Sequence, residues 1–198
     1  MNDIGAAGNA VYGRRRIWAP LAVAGVLLAL IGAEALFARS QPAGVTLVPD
    51  TVIEFGAERD ATVQVGDGWV LDSGASDINS QIVLVRGNTL VELSDVTLPT
   101  GTSPEEMWTG LDRLLDIERH HGTEVWLDTP TDYENAAGTT GLQGNLQVGT
   151  RVGQAFVLAG PDGAQAVEAK VLAPSQASDQ DLAAAAKVID SIAFQEAS

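Results

Sequence analysis

Residues 17–37 read IWAPLAVAGVLLALIGAEALF, an almost unbroken apolar run in which Glu34 is the one formal charge, and Arg14, Arg15 and Arg16 stand nearby on its N-terminal side. No other stretch restricts the chain so tightly. At a helical rise of about 1.5 Å per residue the run covers roughly 30 Å, the depth of a bilayer's hydrocarbon core. Arginines on a short flank hold that flank in the cytoplasm. The sequence therefore predicts a cytoplasmic tail over 1–16, a transmembrane signal anchor over 17–38, a linker over 39–44 and an extracytoplasmic domain over 45–198. Arg14, Arg15, Arg16 and Trp18 are the anchor residues, with the Trp18 indole suited to the membrane interface. Pro20 falls in the first turn, where a missing amide proton costs little. A cleavable signal peptide is the competing reading, since Ala33-Glu34-Ala35 fits a small-x-small cleavage site. The run is longer than the roughly 7–15 residues of such a core, which favours the anchor.

Composition narrows the partners. From Ser40 onward there are 7 basic and 24 acidic residues, a net of −17. Such a domain is repelled by nucleic acid and by anionic headgroups. The chain has no cysteine, hence no disulfide framework and no lipobox attachment point. Abundant Ala and Gly with only two lysines is a style common in GC-rich bacteria. The length beyond the apolar run suits a single domain, and no interior linker divides it.

Periodicity and turn chemistry outline that domain. Residues 45–55 alternate weakly around Pro49-Asp50, and 61–65 alternate before Gly66-Asp67-Gly68 and Trp69-Val70-Leu71. Residues 72–80, DSGASDINS, carry loop chemistry. Two strands, 81–86 and 89–93, flank Gly87-Asn88, a pair suited to a primed hairpin turn because Gly takes positive φ freely and Asn tolerates it. Ser103-Pro104-Glu105-Glu106 supplies a cap, a first-turn proline and a capping-box glutamate. The helix it starts carries Met107, Trp108, Leu111, Leu114 and Leu115 on one stripe and ends at Gly122. A strand over 123–127 closes at Asp128-Thr129-Pro130. Residues 136–158 predict two or three strands broken near Gly149 and Gly153. After the tight turn Gly160-Pro161-Asp162-Gly163 comes a strand over 164–172. A second helix starts at Ser178, carries Leu182, Ala185, Ala186 and Ile189 on one face and stops near Ser191, and Ile192-Ala193-Phe194 packs back. Sequential hairpins with two helices give an α+β domain, an antiparallel sheet with helices packed on its faces.

Four of these features together carry a resemblance: Gly68-Trp69-Val70-Leu71 entering the hairpin, the Ser103-Pro104-Glu105-Glu106 helix start, the Gly-rich hairpin run, and the closing Val188-Ile189-Asp190-Ser191-Ile192-Ala193-Phe194. Over residues 50–196 the chain resembles the PsbP-like α/β/α sandwich superfamily. That group includes a photosystem II extrinsic subunit, a yeast nuclear-import factor and LpqN-type mycobacterial lipoproteins. The resemblance implies an accessory or binding module rather than an enzyme. For the bacterial envelope members it implies envelope protein or lipid partners. The lipoprotein members' tethering cysteine is absent here, and the apolar run would take its place.

No catalytic constellation is legible. His120 and His121 are the only histidines. As neighbours they cannot share one helix face, and Glu118-Arg119-His120-His121 is not the HExxH zinc arrangement. A place in the last helical turn, against the negative end of the dipole, is the plain reading. Glu118 falls about 20° from Met107 on the helical wheel, and His121 lies one turn on. Glu118 therefore either lines a pocket with His121 or stands in water where the helix outruns its sheet. Ser73 and Ser76 lack a nucleophile elbow, Asp72 and Asp77 lack calcium-loop spacing, and no phosphate cradle is present. Trp69, Trp108 and Trp126 are expected in the core, with one of them free to line a groove. The candidate ligand or partner residues are thus Glu118, His121, Trp69 and Trp126, with no cofactor and no metal. The expected function is a membrane-anchored extracytoplasmic accessory or binding protein without catalytic activity. The alternatives are a carrier of a lipid or small apolar ligand, and a hydrolase built around Glu118 and His121.

Overall fold

A computed structural model describes residues 44–99, 101–161 and 163–195. The expected tail and anchor, including Arg14, Arg15, Arg16 and Trp18, lie outside these residues. The chain divides into Met1–Pro42 and Ala43–Ser198, and the second unit is the one described below. Among the described residues no helix is long and apolar enough to cross a membrane.

Turn and cap chemistry set the elements. Strands β5 (Gln81–Arg86) and β6 (Thr89–Thr97) pair antiparallel with Arg86 opposite Thr89, so Gly87-Asn88 is the whole connection. Gly87 has φ +55° and Asn88 stays at negative φ, a distribution in which the first turn residue must be glycine. Helix α1 (Pro104–His120) opens with a full capping box: the Ser103 hydroxyl accepts from the Glu106 amide at 3.3 Å, and the Glu106 carboxylate accepts from the Ser103 amide at 3.0 Å. Helix α2 (Asp179–Asp190) is capped by Ser178. The remaining strands are β1 (Val45–Thr46), β2 (Thr51–Phe55), β3 (Ala61–Val65), β4 (Val70–Leu71), β7 (Val125–Leu127), β8 (Thr131–Glu134), β9 (Thr140–Val148), β10 (Arg151–Ala159), β11 (Gln165–Pro174) and β12 (Ala193–Phe194).

The large sheet runs β1-β4-β5-β6-β11-β10-β9-β7, with β8 also on β9, and every pairing is antiparallel. Side chains alternate between its faces. One face offers Ile82, Leu84, Val91, Leu93, Phe156, Leu158, Val167 and Ala169, and α2 together with a small sheet, β12-β3-β2, packs on it. The other offers Leu142, Leu146, Ala155, Val157, Ala166 and Leu172 to Met107, Trp108, Leu111 and Leu115 of α1. The helices thus cover opposite faces of an antiparallel sheet.

Four expectations are corrected. The small sheet is a second layer on one face; its strands were legible, but their separate pairing depends on contacts between Ala61–Val65 and both Thr51–Phe55 and Ala193–Phe194. Strand β8 lay in a polar stretch without alternation. Gly153 does not break β10: it sits against β11 so closely that a Cβ there would meet the Val171 carbonyl oxygen, so its glycine serves strand contact rather than a turn. Leu114, at 55% exposed, and Leu182, at 40%, stand in solvent, as does Ala186. A single helix lying on a sheet buries a stripe narrower than the one its wheel permits, and the ends overhang.

These placements give a paired stability test. Leu111→Ala removes a fully buried side chain and should cost about 2–5 kcal/mol. Leu114→Ala, on the same helix, should stay within about 0.5 kcal/mol. Equilibrium urea unfolding of both variants checks the assignment, and equal losses would contradict it.

Candidate binding surface

The far end of α1 holds the two residues singled out for an acid–base pair. Glu118 and His121 are both exposed. The buried stripe of α1 ends at Leu115, so the helix has passed its sheet before Glu118 is reached. Arg119 organises this end instead. Its guanidinium bonds Asp112 at 3.0 Å and Asp116, and its Nε donates to the Val125 carbonyl at 3.0 Å. The two carboxylates hold the Arg119 pKa above its ordinary value, with the Asp116 bond the largest cause. His120 Nδ1 lies 2.6 Å from the Asp116 carbonyl, and His121 is the C-cap. Among the described residues no group of three or more His, Asp or Glu side chains is arranged to hold a metal ion.

The tryptophans divide. Trp69 is fully buried beside the small sheet, and Trp108 is buried under α1, where its ring presses on Gly144 closely enough that a Cβ there would lie 2.9 Å from it. Trp126 is not in the core; it is 53% exposed. Its neighbours Val125 and Leu127 turn toward α1, so the indole must leave the sheet on the opposite face. There it lies beside Gln147, its partner in register, and Gln147 in turn faces Val152.

An open cleft of about 480 Å³ lies between the start of α1 and the β8–β9 pair, lined by Pro104, Glu105, Asp132, Tyr133, Glu134, Thr140, Gly141 and Leu142. Its chemistry is acidic. The Glu105 carboxyl is held below its usual range by its own backbone amide and by the Ser103 hydroxyl. Tyr133 donates to Asp190 at 2.9 Å, and burial, aided by that carboxylate, pushes its phenol up to about 12. Tyr133 is therefore a neutral donor fastened to α2.

Sequence reasoning missed a charge cluster on the α1 side of the large sheet, buried at Glu168 and half-buried at Lys170 and Glu92. Lys170 and Glu92 face each other in register, with Nζ 2.7 Å from Oε1. Glu168, two residues along the same face, is only 8% exposed, and its carboxylate makes no hydrogen bond within the described residues. Burial pushes its carboxyl upward, Lys170 opposes this and Glu92 adds to it. The available signal was the string AVEAKVL, two charges at alternate positions in a strand otherwise apolar on both faces.

The architecture is a PsbP-like fold. The solution structure of cyanobacterial PsbP (CyanoP) from Synechocystis sp. PCC 6803 is similar with a TM-score of 0.54 at 10% identity, over 78% of this chain and 98% of that one. A crystal structure from Bacteroides thetaiotaomicron reaches a TM-score of 0.42 at 11% identity, over 76% of this chain and 50% of that one. No protein-family model and no curated protein matches the sequence. At such identity the likeness is one of fold.

The Glu168 environment predicts a pH dependence. A carboxyl raised in the folded state contributes stability that is fully present below its unfolded value, near 4.5, and is lost as pH rises through the folded value. Glu168→Gln mimics the protonated form. The variant should match the parent under acidic conditions and gain relative stability from pH 4.5 towards neutrality. Urea unfolding across that range checks it, and a constant or reversed difference would contradict the burial argument.

Proposed function

We propose that this chain is a membrane-anchored, extracytoplasmic accessory or binding protein of a bacterial cell envelope, without catalytic activity of its own. The observation that carries the reading is the PsbP-like fold with a tryptophan-bearing sheet face left open at Trp126. A fold alone does not specify function, so the open face is what directs the reading toward binding. The run of residues 17–37 behind three arginines supports the anchor and its orientation. The acidic balance beyond it supports basic or neutral partners over nucleic acid.

The cleft favours neither alternative. Its open, carboxylate-bearing walls suit a polar ligand rather than an acyl chain. Glu118 and His121 are exposed and are joined only through the backbone of the helix end, where the His121 amide donates to the Glu118 carbonyl at 3.1 Å, and the carboxyls with displaced pKa values, Asp95, Glu105, Glu168 and Asp181, lie on four different elements.

A reporter active only in the cytoplasm, fused after Ser198, should be silent, and the same reporter fused ahead of Arg14 should be active. The reverse pattern would reject the orientation. A mature N-terminus at Leu36, read by mass spectrometry, would replace the anchor by a signal peptide. In-cell crosslinking should recover envelope components, and recovery of cytoplasmic proteins alone would defeat the assignment.

A further inference from the structure

Helix α2 crosses its face of the large sheet diagonally and leaves one corner uncovered. Its N-terminus is tied to the end of β5, where Arg86 Nε donates to Asp181 at 2.9 Å. Its C-terminus is tied to the β8–β9 loop, where the Asn135 amide donates to the Ile189 and Ile192 carbonyls at 3.2 and 2.7 Å. The Ser191 hydroxyl donates to β3 at the Gln64 carbonyl, 3.0 Å away, so the flank carrying Leu182 and Ala186 looks away from the small sheet.

On that side, Gln143, Asn145 and Gln147 of β9 point outward, alternating with the inward Leu142 and Leu146. Register sets Trp126 and Val152 on either side of Gln147, and Gln154 beside Asn145. These six side chains carry no formal charge, in a domain with 24 acidic groups against 7 basic ones. Asn145 donates to Asp128 at 3.2 Å and Gln147 to the Gly149 carbonyl at 3.2 Å, while the side-chain amides of Gln143 and Gln154 make no hydrogen bond among the described residues. Each amide offers both donors and an acceptor.

We infer that this corner is a binding shelf for a neutral oligosaccharide, an inference that rests on the binding function proposed above and names its ligand class. A sugar hydroxyl, like an amide, both donates and accepts, so an amide row matches a row of hydroxyls. A pyranose ring also has an apolar C–H face, which an exposed indole covers while its N–H stays free for a polar partner. From Gln143 to Gln147 the row extends roughly 14 Å at about 3.4 Å per residue, enough for more than one ring. Other occupants fit worse. Polyanions meet the acidic surroundings. A protein partner needs about 800 Å² per side with an apolar centre, and only Trp126, Val152 and Leu182 are large exposed apolar groups here.

The test uses the full chain against linear hexaoses of glucose, N-acetylglucosamine and mannose, with polygalacturonate as the acidic comparator. At least one neutral hexaose should bind. Raising salt from about 0.05 to 0.5 M should leave that affinity unchanged, since no charge is engaged. Trp126→Ala should weaken binding about tenfold or more, while Leu114→Ala, on α1 over the opposite face, should not alter it. Absence of neutral-hexaose binding at millimolar concentration, binding of polygalacturonate only, or binding undiminished in a folded Trp126→Ala variant would overturn the inference. If that variant fails to fold, Gln154→Ala replaces it: weaker binding supports the shelf, and unchanged binding rejects it. Envelope-protein crosslinks without hexaose binding would reject the sugar ligand alone. Hexaose binding by a chain whose Ser198 reporter is active in the cytoplasm would reject the envelope assignment alone.

Discussion

The structure depends on β11 being buried on both of its faces. It pairs with β6 on one side and β10 on the other, in the interior of the large sheet. Val167, Ala169 and Val171 belong to the core under α2, and Ala166 and Leu172 to the core under α1. A strand with two apolar faces cannot rest against solvent on either. Both helices are required, and each has to arrive on its own side. That requirement makes the domain a layered α/β/α arrangement rather than a half-open sheet.

The same double burial has an electrostatic consequence. The α1-facing residues of β11 include Glu168 and Lys170, and a charge removed from water must find a partner or lose its ionisation. Lys170 finds Glu92 directly across the ladder. Glu168 has only the shared field of that lysine, opposed by Glu92, and its carboxyl rises accordingly. The cluster therefore sits at a tension between packing and solvation in the middle of the sheet.

Coverage of the other face is shaped by how α2 is fastened. Arg86 holds one end and Asn135 the other, and Tyr133 adds a bond to Asp190. With both ends fixed at opposite corners, the helix lies across the face on a diagonal, the small sheet fills one side, and the other side remains open. The exposure of Trp126, Val152 and Leu182 follows from that geometry rather than from any local peculiarity of those residues.

What was legible in the sequence was local. The Gly87-Asn88 turn, the Ser103 capping box, the Ser178 cap and the alternation of most strands each depend on residues within a few positions, and the elements form where those signals stand. The PsbP-like order of strands and helices followed from stringing them together. The sequence also determined the acidic balance and the apolar run of residues 17–37, which are matters of composition. Only the tertiary structure decided which side of each element met another. Leu114 and Glu118 share the wheel stripe with Leu111, yet both are exposed, because how far a sheet extends beneath a helix is set by strands elsewhere in the chain. Trp126 has the size of a core residue and stands outside, because β7 is an edge strand and α2 is anchored too far away to cover it. Glu168 has the charge of a surface residue and is buried, because β6 and β10 flank its strand. Periodicity reports which face of an element a side chain is on; burial depends on what distant segment packs against that face.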